Sequence, residues 1–285
     1  PDALRAPAGP LPADPADDEF MAEPLKALKL EAERQLAAWA TTGSGLASSS
    51  LYEACAWFST GLGDDEAQDA QIGFFPCAYS ADIWKAILRI DPNEFFDDPA
   101  SRLAPDAESM IVLASPVQPR SEGAVVLTSS NAAVHPDIRM NYFDDPHDLH
   151  VMTAIMRRVL EIVSNWPVES EIGPLLVPPA LANAHGHSPG DEPSDALLED
   201  LALHYAWSVY HPTSTCRIGD VVDDQLRVNG VSNLRVADAS VMPNIVSGNT
   251  NAAAIMIGER AAELVASDHG LRLSEFVGLD TQSAT

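Results

Sequence analysis

One of the titratable residues of this chain is a histidine followed by a proline. Pro212 fixes its own φ and pushes His211 towards an extended conformation. Aromatic and β-branched residues at 207–210 precede the histidine, so we expect the imidazole at the end of a strand-like segment. The Thr-Ser-Thr run that follows favours a turn. Because an imidazole titrates near neutral pH, His211 at such an edge can accept or release a proton.

A polar segment at 247–251 supplies the second group of candidate residues. It reads Ser-Gly-Asn-Thr-Asn and precedes a run at 252–265 whose apolar residues have helical spacing. Asn249, Thr250 and Asn251 are therefore candidate caps or first-turn residues of a helix. The free N–H groups and partial positive charge of a helix N-terminus can stabilise an anion or a developing negative charge. The buried face of this helix is predicted to carry Ile255, Met256, Ala262 and Leu264.

A turn lies in the sequence between these two groups. The apolar run at 234–238 predicts a buried strand that ends at an acidic residue. Asp238, Ala239 and Ser240 are then expected to form a tight turn. These patterns alone place an imidazole at one edge and an amide-rich helix start at another, and only the fold can bring the two together.

The rest of the chain predicts an α+β fold. Short apolar runs, separated by Pro, Gly, Asp and Asn, indicate an antiparallel sheet with strands at 54–58, 72–79, 109–117, 124–128 and 138–142. Apolar periodicity predicts helices at 25–40, from Asp144-Asp145-Pro146 to about 166, and at 195–203, while 174–190 reads as a loop. The glycines at 43 and 45 follow a predicted helix rather than a strand, so they indicate a helix end and not a dinucleotide loop.

The segment from 205 to 265 resembles the C-terminal signature of the glucose–methanol–choline (GMC) oxidoreductases. The resemblance rests on HPTSTCRIG from 211, on RVADASVMP from 235 and on SGNTNAAAIMIGERAAELV from 247. Weaker similarity continues upstream, in Ser115-Pro116, in RSEGAV from 120 and in Asn141-Tyr142-Phe143. This flavoenzyme family includes choline dehydrogenases and oxidases, glucose oxidases and aryl-alcohol oxidases. The resemblance implies oxidation of a small-molecule alcohol with FAD as the cofactor.

The resemblance also implies roles for individual residues. His211 falls on the catalytic histidine of the family, and Asn249 falls on the second active-site position, which is His or Asn among members. The cofactor-binding positions that the resemblance implies are Asp238 and Ala239, on a turn that approaches the flavin, and Thr250 and Asn251, at a helix start that faces it. One departure is Ser214, where many members have Gly.

Two other interpretations stay open at this stage. The same scaffold supports hydroxynitrile lyases, which use the imidazole without net redox chemistry. Alternatively, the chain is incomplete and non-catalytic without a partner polypeptide, because no GxGxxG motif opens a βαβ unit in this sequence. The resemblance therefore covers the C-terminal half of such an enzyme and implies an N-terminal FAD-binding half or a companion chain as partner.

Charge and composition narrow the classes of partner. The 285 residues include 16 Lys and Arg against 42 Asp and Glu, for a formal net charge of -26. Such an acidic surface argues against nucleic acid and anionic membranes as partners. We expect no membrane span, because no apolar run has transmembrane length. Three cysteines without metal-ligand spacing predict no metal site, and they leave the compartment, cytoplasmic or secreted, open.

These observations divide the chain into four parts. Residues 1–18 are rich in Pro, Ala and Asp and are predicted to be an extended lead-in. Residues 19–204 form the predicted substrate-binding domain. Residues 205–267 are the predicted active-site segment, whose strand and helix would complete a Rossmann-like FAD domain, and residues 268–285 are a predicted tail.

Overall fold

The computed structural model describes residues 29–30, 33–34, 36–43, 52–63, 67–75, 110–165 and 172–271. The predicted lead-in and nearly all of the predicted tail lie outside these residues. The chain divides into two compact units, Pro1–Pro116 with Tyr142–Trp207 and Val117–Asn141 with Ser208–Thr285. The second unit thus contains a segment from the middle of the chain together with the C-terminal residues. The predicted domain limits stay a prediction.

The first unit contains a three-stranded antiparallel sheet, as predicted. Its strands are β1 (Ala54–Phe58), β2 (Ala70–Phe75) and β3 (Ile111–Pro116), with β2 in the middle. Gly73 pairs with Cys55 on one side and Leu113 on the other. A Cβ at Gly73 would lie 2.0 Å from the ring of Tyr52. The glycine therefore lets an aromatic ring lie directly on the central strand.

Helix α2 (Pro146–Ser164) covers this sheet. It begins where the sequence predicts, because Asp145 is the N-cap, its side chain accepts a hydrogen bond from the backbone N–H of His147, and Pro146 occupies the first turn. Val151 and Ile155 are buried against Ala70 of β2, and the partly buried residues Phe58, Ile72 and Ala114 surround them. A helix on one face of the sheet gives this unit its core.

Two further helices complete the described part of the first unit. The loop predicted at 174–190 is wrong in its centre, where α3 (Pro179–His185) forms. Three alanines favour the helix, Pro179 suits its first turn, and Gly186 ends it in the left-handed conformation. Helix α4 (Asp195–Tyr205) confirms the helix predicted at 195–203. His185 and Asp200 join the two helices, with 2.7 Å between Nε2 and Oδ2.

The helix predicted at 25–40 is α1, whose described residues between 29 and 42 are helical. Gly43 follows with φ +67°, and its N–H donates to the carbonyl oxygen of Trp39. The prediction of a glycine-marked helix end is therefore confirmed. The side chains of Leu30, Leu36 and Trp39 are exposed.

The second unit includes a short hairpin of β4 (Ala124–Val126) and β5 (Asp137–Arg139). Gly123 precedes β4 at a place where a Cβ would lie 2.4 Å from the carbonyl oxygen of Arg139. Two side-chain contacts connect the hairpin segment to the C-terminal residues. Gln118 Nε2 donates to Ser247 Oγ at 2.6 Å, and Glu122 forms an ion pair with Arg217.

The core of the second unit forms between a loop region and the last helix, α5 (Asn251–Asp268). From the loops come Val222, Leu226, Val241 and Met242, and from the helix come Ile257, Ala261 and Leu264. The three helical residues are four and three positions apart, which puts them on one face. The predicted buried face is wrong in part, because Ile255 and Met256 are 59% and 58% exposed and Ala262 is also exposed, while Leu264 is buried.

Two further predicted strands, at 234–238 and in the run before His211, do not form. Residues 234–238 make only one bridge pair, between Arg235 and Arg227, flanked by hydrogen bonds from Val228 to Leu234 and from Val236 to Leu226. The pattern fails because a buried strand needs a neighbouring strand on each side, and here the segment pairs only with a short adjacent loop. The strand-like run before His211 is likewise irregular, with Tyr210 at φ +64°.

In the part of the chain that the structure describes, no helix is both long and apolar enough to cross a membrane.

The two isoleucines of α5 provide a matched test of this core. Ile257 is 8% exposed and Ile255 is 59% exposed on the same helix. We expect Ile257→Ala to lower the free energy of unfolding by about 2–5 kcal/mol, because it leaves a cavity in a packed core. Ile255→Ala should change it by about 0.5 kcal/mol or less. Chemical denaturation of this chain measures both, and equal losses would contradict the described core.

Candidate active site

The described structure brings His211, Asn249 and Thr250 together. Asn249 Nδ2 lies 2.7 Å from His211 Nε2, and Thr250 Oγ1 lies 2.9 Å from His211 Nδ1. An amide nitrogen can only donate, so Nε2 accepts this hydrogen bond and carries the lone pair. The ring proton is then on Nδ1, which donates to the hydroxyl of Thr250. The two contacts thus involve both ring nitrogens, with the lone pair on Nε2.

Backbone hydrogen bonds place the loop that follows His211. The N–H groups of Ser214, Cys216 and Ile218 donate to the carbonyl oxygens of residues 239, 240 and 241, at 3.4, 2.8 and 3.0 Å. This ladder joins the histidine loop to the turn at 238–241. Ser214, the departure from the family pattern, has φ +74°, a conformation that glycine adopts without strain. Its hydroxyl lies 2.8 Å from that of Thr213.

Asp238 and Ala239 have structural contacts in this turn. A short 3-10 helix, Ala239–Val241, begins after Asp238, whose Oδ1 accepts a hydrogen bond from the N–H of Ser240 at 2.8 Å. The carbonyl oxygen of Ala239 accepts from Ser214 and Met242. Asp238 is exposed and Val241 is fully buried. The turn is thus fixed in the core while its acidic residue faces outward.

The start of α5 holds the other candidate residues. Thr250 is the N-cap residue and is 8% exposed, and its carbonyl oxygen accepts from the N–H of Ala254 at 2.9 Å. Asn251 is the first residue of the helix and is exposed. The predicted location of all three residues, Asn249 to Asn251, at a helix start is confirmed. Their catalytic and cofactor-binding roles stay predictions.

Ion pairs away from His211 hold the loop between 220 and 236. Hydrogen bonds from Arg227, the backbone N–H first among them, and from Gln225 keep the pKa of Asp223 below its usual value. The pKa of Asp268 is also lowered, chiefly by its hydrogen bond with Arg235, in which Nη2 lies 2.6 Å from Oδ2. Asp223 thus holds the loop internally, and Asp268 links the loop to the end of α5.

Cysteine and metal chemistry offer nothing further in the described ranges. Cys55 and Cys216 are free thiols, and Cys77 lies outside the described residues. Burial raises the pKa of Cys55. Among the residues that the structure describes, no three His, Cys, Asp or Glu side chains group in a way that would hold a metal ion.

A comparison with protein families identifies this region. The GMC oxidoreductase family model matches residues 119–258, which include His211, the turn at Asp238 and the start of α5. Residues 119–258 are a C-terminal domain of the GMC oxidoreductase family. The resemblance of the sequence motifs to this family is thereby confirmed.

Curated relatives of this GMC domain are longer proteins. An alcohol dehydrogenase [acceptor] of Pseudomonas putida is 38% identical over 52% of this chain and 26% of its own length. An oxygen-dependent choline dehydrogenase of Rhizobium etli is 31% identical over 80% of this chain and 37% of its own length. The chain thus spans about a quarter to two fifths of the length of these relatives.

A solved structure has the same fold. Formate oxidase of Aspergillus oryzae, in a structure concerned with FAD modification, superposes with a TM-score of 0.61. The superposition covers 84% of this chain and 42% of that protein, at 21% identity. At this identity the likeness is one of fold alone, a mixture of antiparallel strands and helices.

The sequence alone did not predict the contact between Thr250 and His211. Thr250 was predicted as a cap or a cofactor-binding residue, and the local pattern cannot tell an oxygen that caps a helix from one that bonds an imidazole. The contact of Gln118 with Ser247, close to Asn249, was also missed. The two residues are 129 positions apart, and no local pattern links them.

Asp238 offers a test of the turn. Asp238→Ala should lower the free energy of unfolding by about 0.5–2 kcal/mol, because the cap on Ser240 is lost. Asp238→Asn should retain most of that stability, since an asparagine oxygen can make the same bond. Thermal and chemical unfolding of the three proteins measure this difference. An Asn variant as unstable as the Ala variant would show that the negative charge, not the cap, is what the turn needs.

Proposed function

We propose that this chain supplies the proton-accepting part of an active site that oxidises an alcohol with FAD. One observation carries the proposal: His211 Nε2 and Asn249 Nδ2 lie 2.7 Å apart although 38 positions separate the residues. A base and a hydrogen-bond donor at this distance can both contact a single substrate oxygen. Membership of residues 119–258 in the GMC oxidoreductase family supports the reaction class.

The proposed mechanism follows from the donor and acceptor roles of these two side chains. A substrate hydroxyl binds between them. It donates a hydrogen bond to His211 Nε2 and accepts one from Asn249 Nδ2. Because the hydrogen bond between Nδ2 and Nε2 occupies both groups, the amide must turn from the ring when the oxygen binds. Nε2 then takes the hydroxyl proton, and the amide stabilises the alkoxide while the carbon loses a hydride. The product is an aldehyde or a ketone.

FAD, when bound, supplies the hydride acceptor. The start of α5 fits such a group, because Thr250 makes no side-chain bond to the first N–H groups of this helix in the described structure. Those N–H groups can face an electron-rich ring system and stabilise negative charge on it. Asp238 and Ala239, on the exposed turn, and Asn251, at the exposed helix start, are the further residues that we propose to contact FAD.

We also propose that FAD binding needs a polypeptide segment in addition to these 285 residues. The sequence contains no glycine-rich GxGxxG motif, and the relatives are about three to four times as long as the part that they share with it. Ile255 and Met256 support this proposal, because they form an exposed apolar pair on the same helix that packs its other face into the core. The segment is an N-terminal FAD-binding half or a separate companion chain.

The substrate is proposed only as a small alcohol. The names of the two relatives, alcohol dehydrogenase [acceptor] and oxygen-dependent choline dehydrogenase, support an alcohol, and they differ in substrate.

Substitution of His211 tests the mechanism. In the natural protein, purified with every polypeptide that accompanies it, alcohols should bleach the visible absorbance of bound flavin. His211→Gln should slow this bleaching about 10²–10⁴-fold, because the base is lost while the flavin stays bound. His135→Gln is the matched control, since His135 also precedes a proline in the second unit and is exposed.

Other outcomes of this experiment would contradict the proposal. Flavin that no alcohol bleaches, together with cyanide release from a cyanohydrin, would establish the lyase interpretation. A natural protein that consists of this chain alone and holds no flavin would contradict a part in flavin chemistry. Equal rates in the His211→Gln and His135→Gln variants would remove His211 from the reaction.

The exposed pair on α5 tests the second polypeptide segment. Ile255→Glu should reduce the amount of flavin and of a flavin-binding partner that purify with the chain by about tenfold or more, since a charge buried at an apolar contact is strongly unfavourable. Ser267→Glu, an exposed position on the same helix, should leave both amounts unchanged. Intact mass spectrometry and absorbance measure them. Undiminished flavin and partner in the Ile255→Glu preparation would mean that this surface does not contact the partner.

A further inference from the structure

We propose that Thr250 is a positioning residue for His211, and that its hydroxyl fixes the imidazole in the tautomer with the lone pair on Nε2. This inference deepens the proposed function and rests on it for its catalytic consequence. Its structural part concerns only the ring of His211 and the oxygen of Thr250. It can therefore be tested without substrate, flavin or a partner chain.

The first observation is the contact itself. Thr250 Oγ1 lies 2.9 Å from His211 Nδ1, and the threonine is 8% exposed while the histidine is partly buried. On the other side of the ring, Asn249 Nδ2 lies 2.7 Å from Nε2. Because the Asn249 amide donates to Nε2, the ring proton must be on Nδ1. The Thr250 oxygen is the acceptor for that Nδ1–H group.

The second observation is what Thr250 does not do. It is the N-cap residue of α5, a position where threonine usually accepts a hydrogen bond from an N–H group of the first turn. In the described structure it makes no such bond, and its oxygen contacts His211 instead. The backbone of Thr250 is in the helical region, with φ -84° and ψ -7°, rather than the extended region usual for a capping residue, so its oxygen is not directed at those N–H groups. The usual capping interaction is thus replaced by the contact with the imidazole.

The chemical consequence concerns both states of the base. Before reaction, the Nδ1–H bond to Thr250 keeps the lone pair on Nε2, where the substrate hydroxyl would be. After Nε2 has accepted a proton, Nδ1–H still donates to the same oxygen, so the ring keeps its orientation. In Thr250→Val this N–H loses its acceptor in a buried place, and the ring can turn or change tautomer.

Nitrogen NMR of the isotope-labelled chain tests the structural part. In the wild-type protein at a pH where His211 is neutral, we expect its Nδ1 to be protonated and its Nε2 to be unprotonated, with the signals assigned by their loss in His211→Gln. Thr250→Ser should keep this pattern, since it retains the hydroxyl. Thr250→Val, which has the same shape without a hydroxyl, should lose the preference for Nδ1–H.

The same variants test the catalytic consequence in the flavin-loaded protein. Thr250→Val should lower kcat about 10–100-fold with little change in KM, as expected for a residue that orients a catalytic side chain. It should also shift the pH profile of kcat, and Thr250→Ser should restore both. A loss of kcat in Val and Ser alike, with an unchanged pH profile, would overturn the positioning role.

The outcomes separate this inference from the proposed function. A wild-type His211 that carries its proton on Nε2, or a Thr250→Val variant with unchanged ring signals, overturns the inference whatever the enzyme does. If the ring signals change as expected but no alcohol is oxidised by the wild-type protein, the positioning stands and the proposed function fails. Should the Val variant not fold, the wild-type and Thr250→Ser spectra still decide the tautomer.

Discussion

The backbone ladder between residues 214–218 and 239–241 is the constraint on which the candidate site depends. Its three hydrogen bonds attach the histidine loop to a turn whose last residue, Val241, is fully buried. Because the turn is anchored in the core, it fixes the position of the loop. The backbone, rather than a side chain, therefore sets the position of His211. Side chains then finish the arrangement, with Asn249 on one ring nitrogen and Thr250 on the other.

Helix α5 has a buried face, an exposed apolar face and first residues that lie beside His211. The face with Ile257, Ala261 and Leu264 packs against the loop core, and this packing holds the helix start beside the histidine. The exposed pair of Ile255 and Met256 on another face gives the helix a second apolar surface. Thr250 at the start is turned towards the imidazole and leaves the first N–H groups without a side-chain cap. One helix thus contributes to the core, carries an exposed apolar surface and places Thr250 beside His211.

Local sequence patterns predicted most of the regular elements. The five strand runs, the start of α2 at Asp145-Pro146 and the helix at Asp195 follow from alternation, capping and proline placement, which act over a few residues. The errors have equally physical causes. The prolines and glycines around 179–185 indicated a loop, although the alanines of this segment favour a helix. The apolar run at 234–238 indicated a strand, but this segment has no extended strand to pair with.

The sequence by itself determined the family and the identity of the candidate residues. The motifs around His211, Asp238 and Asn249 are contiguous, and the match of residues 119–258 to the GMC oxidoreductase family confirms their resemblance. Tertiary structure alone decided that the imidazole of His211 lies between Asn249 and Thr250, 38 and 39 positions away. It also decided which face of α5 is buried. The reason is that distances between remote segments, and the choice of one hydrogen-bond partner over another, depend on packing that no local pattern records.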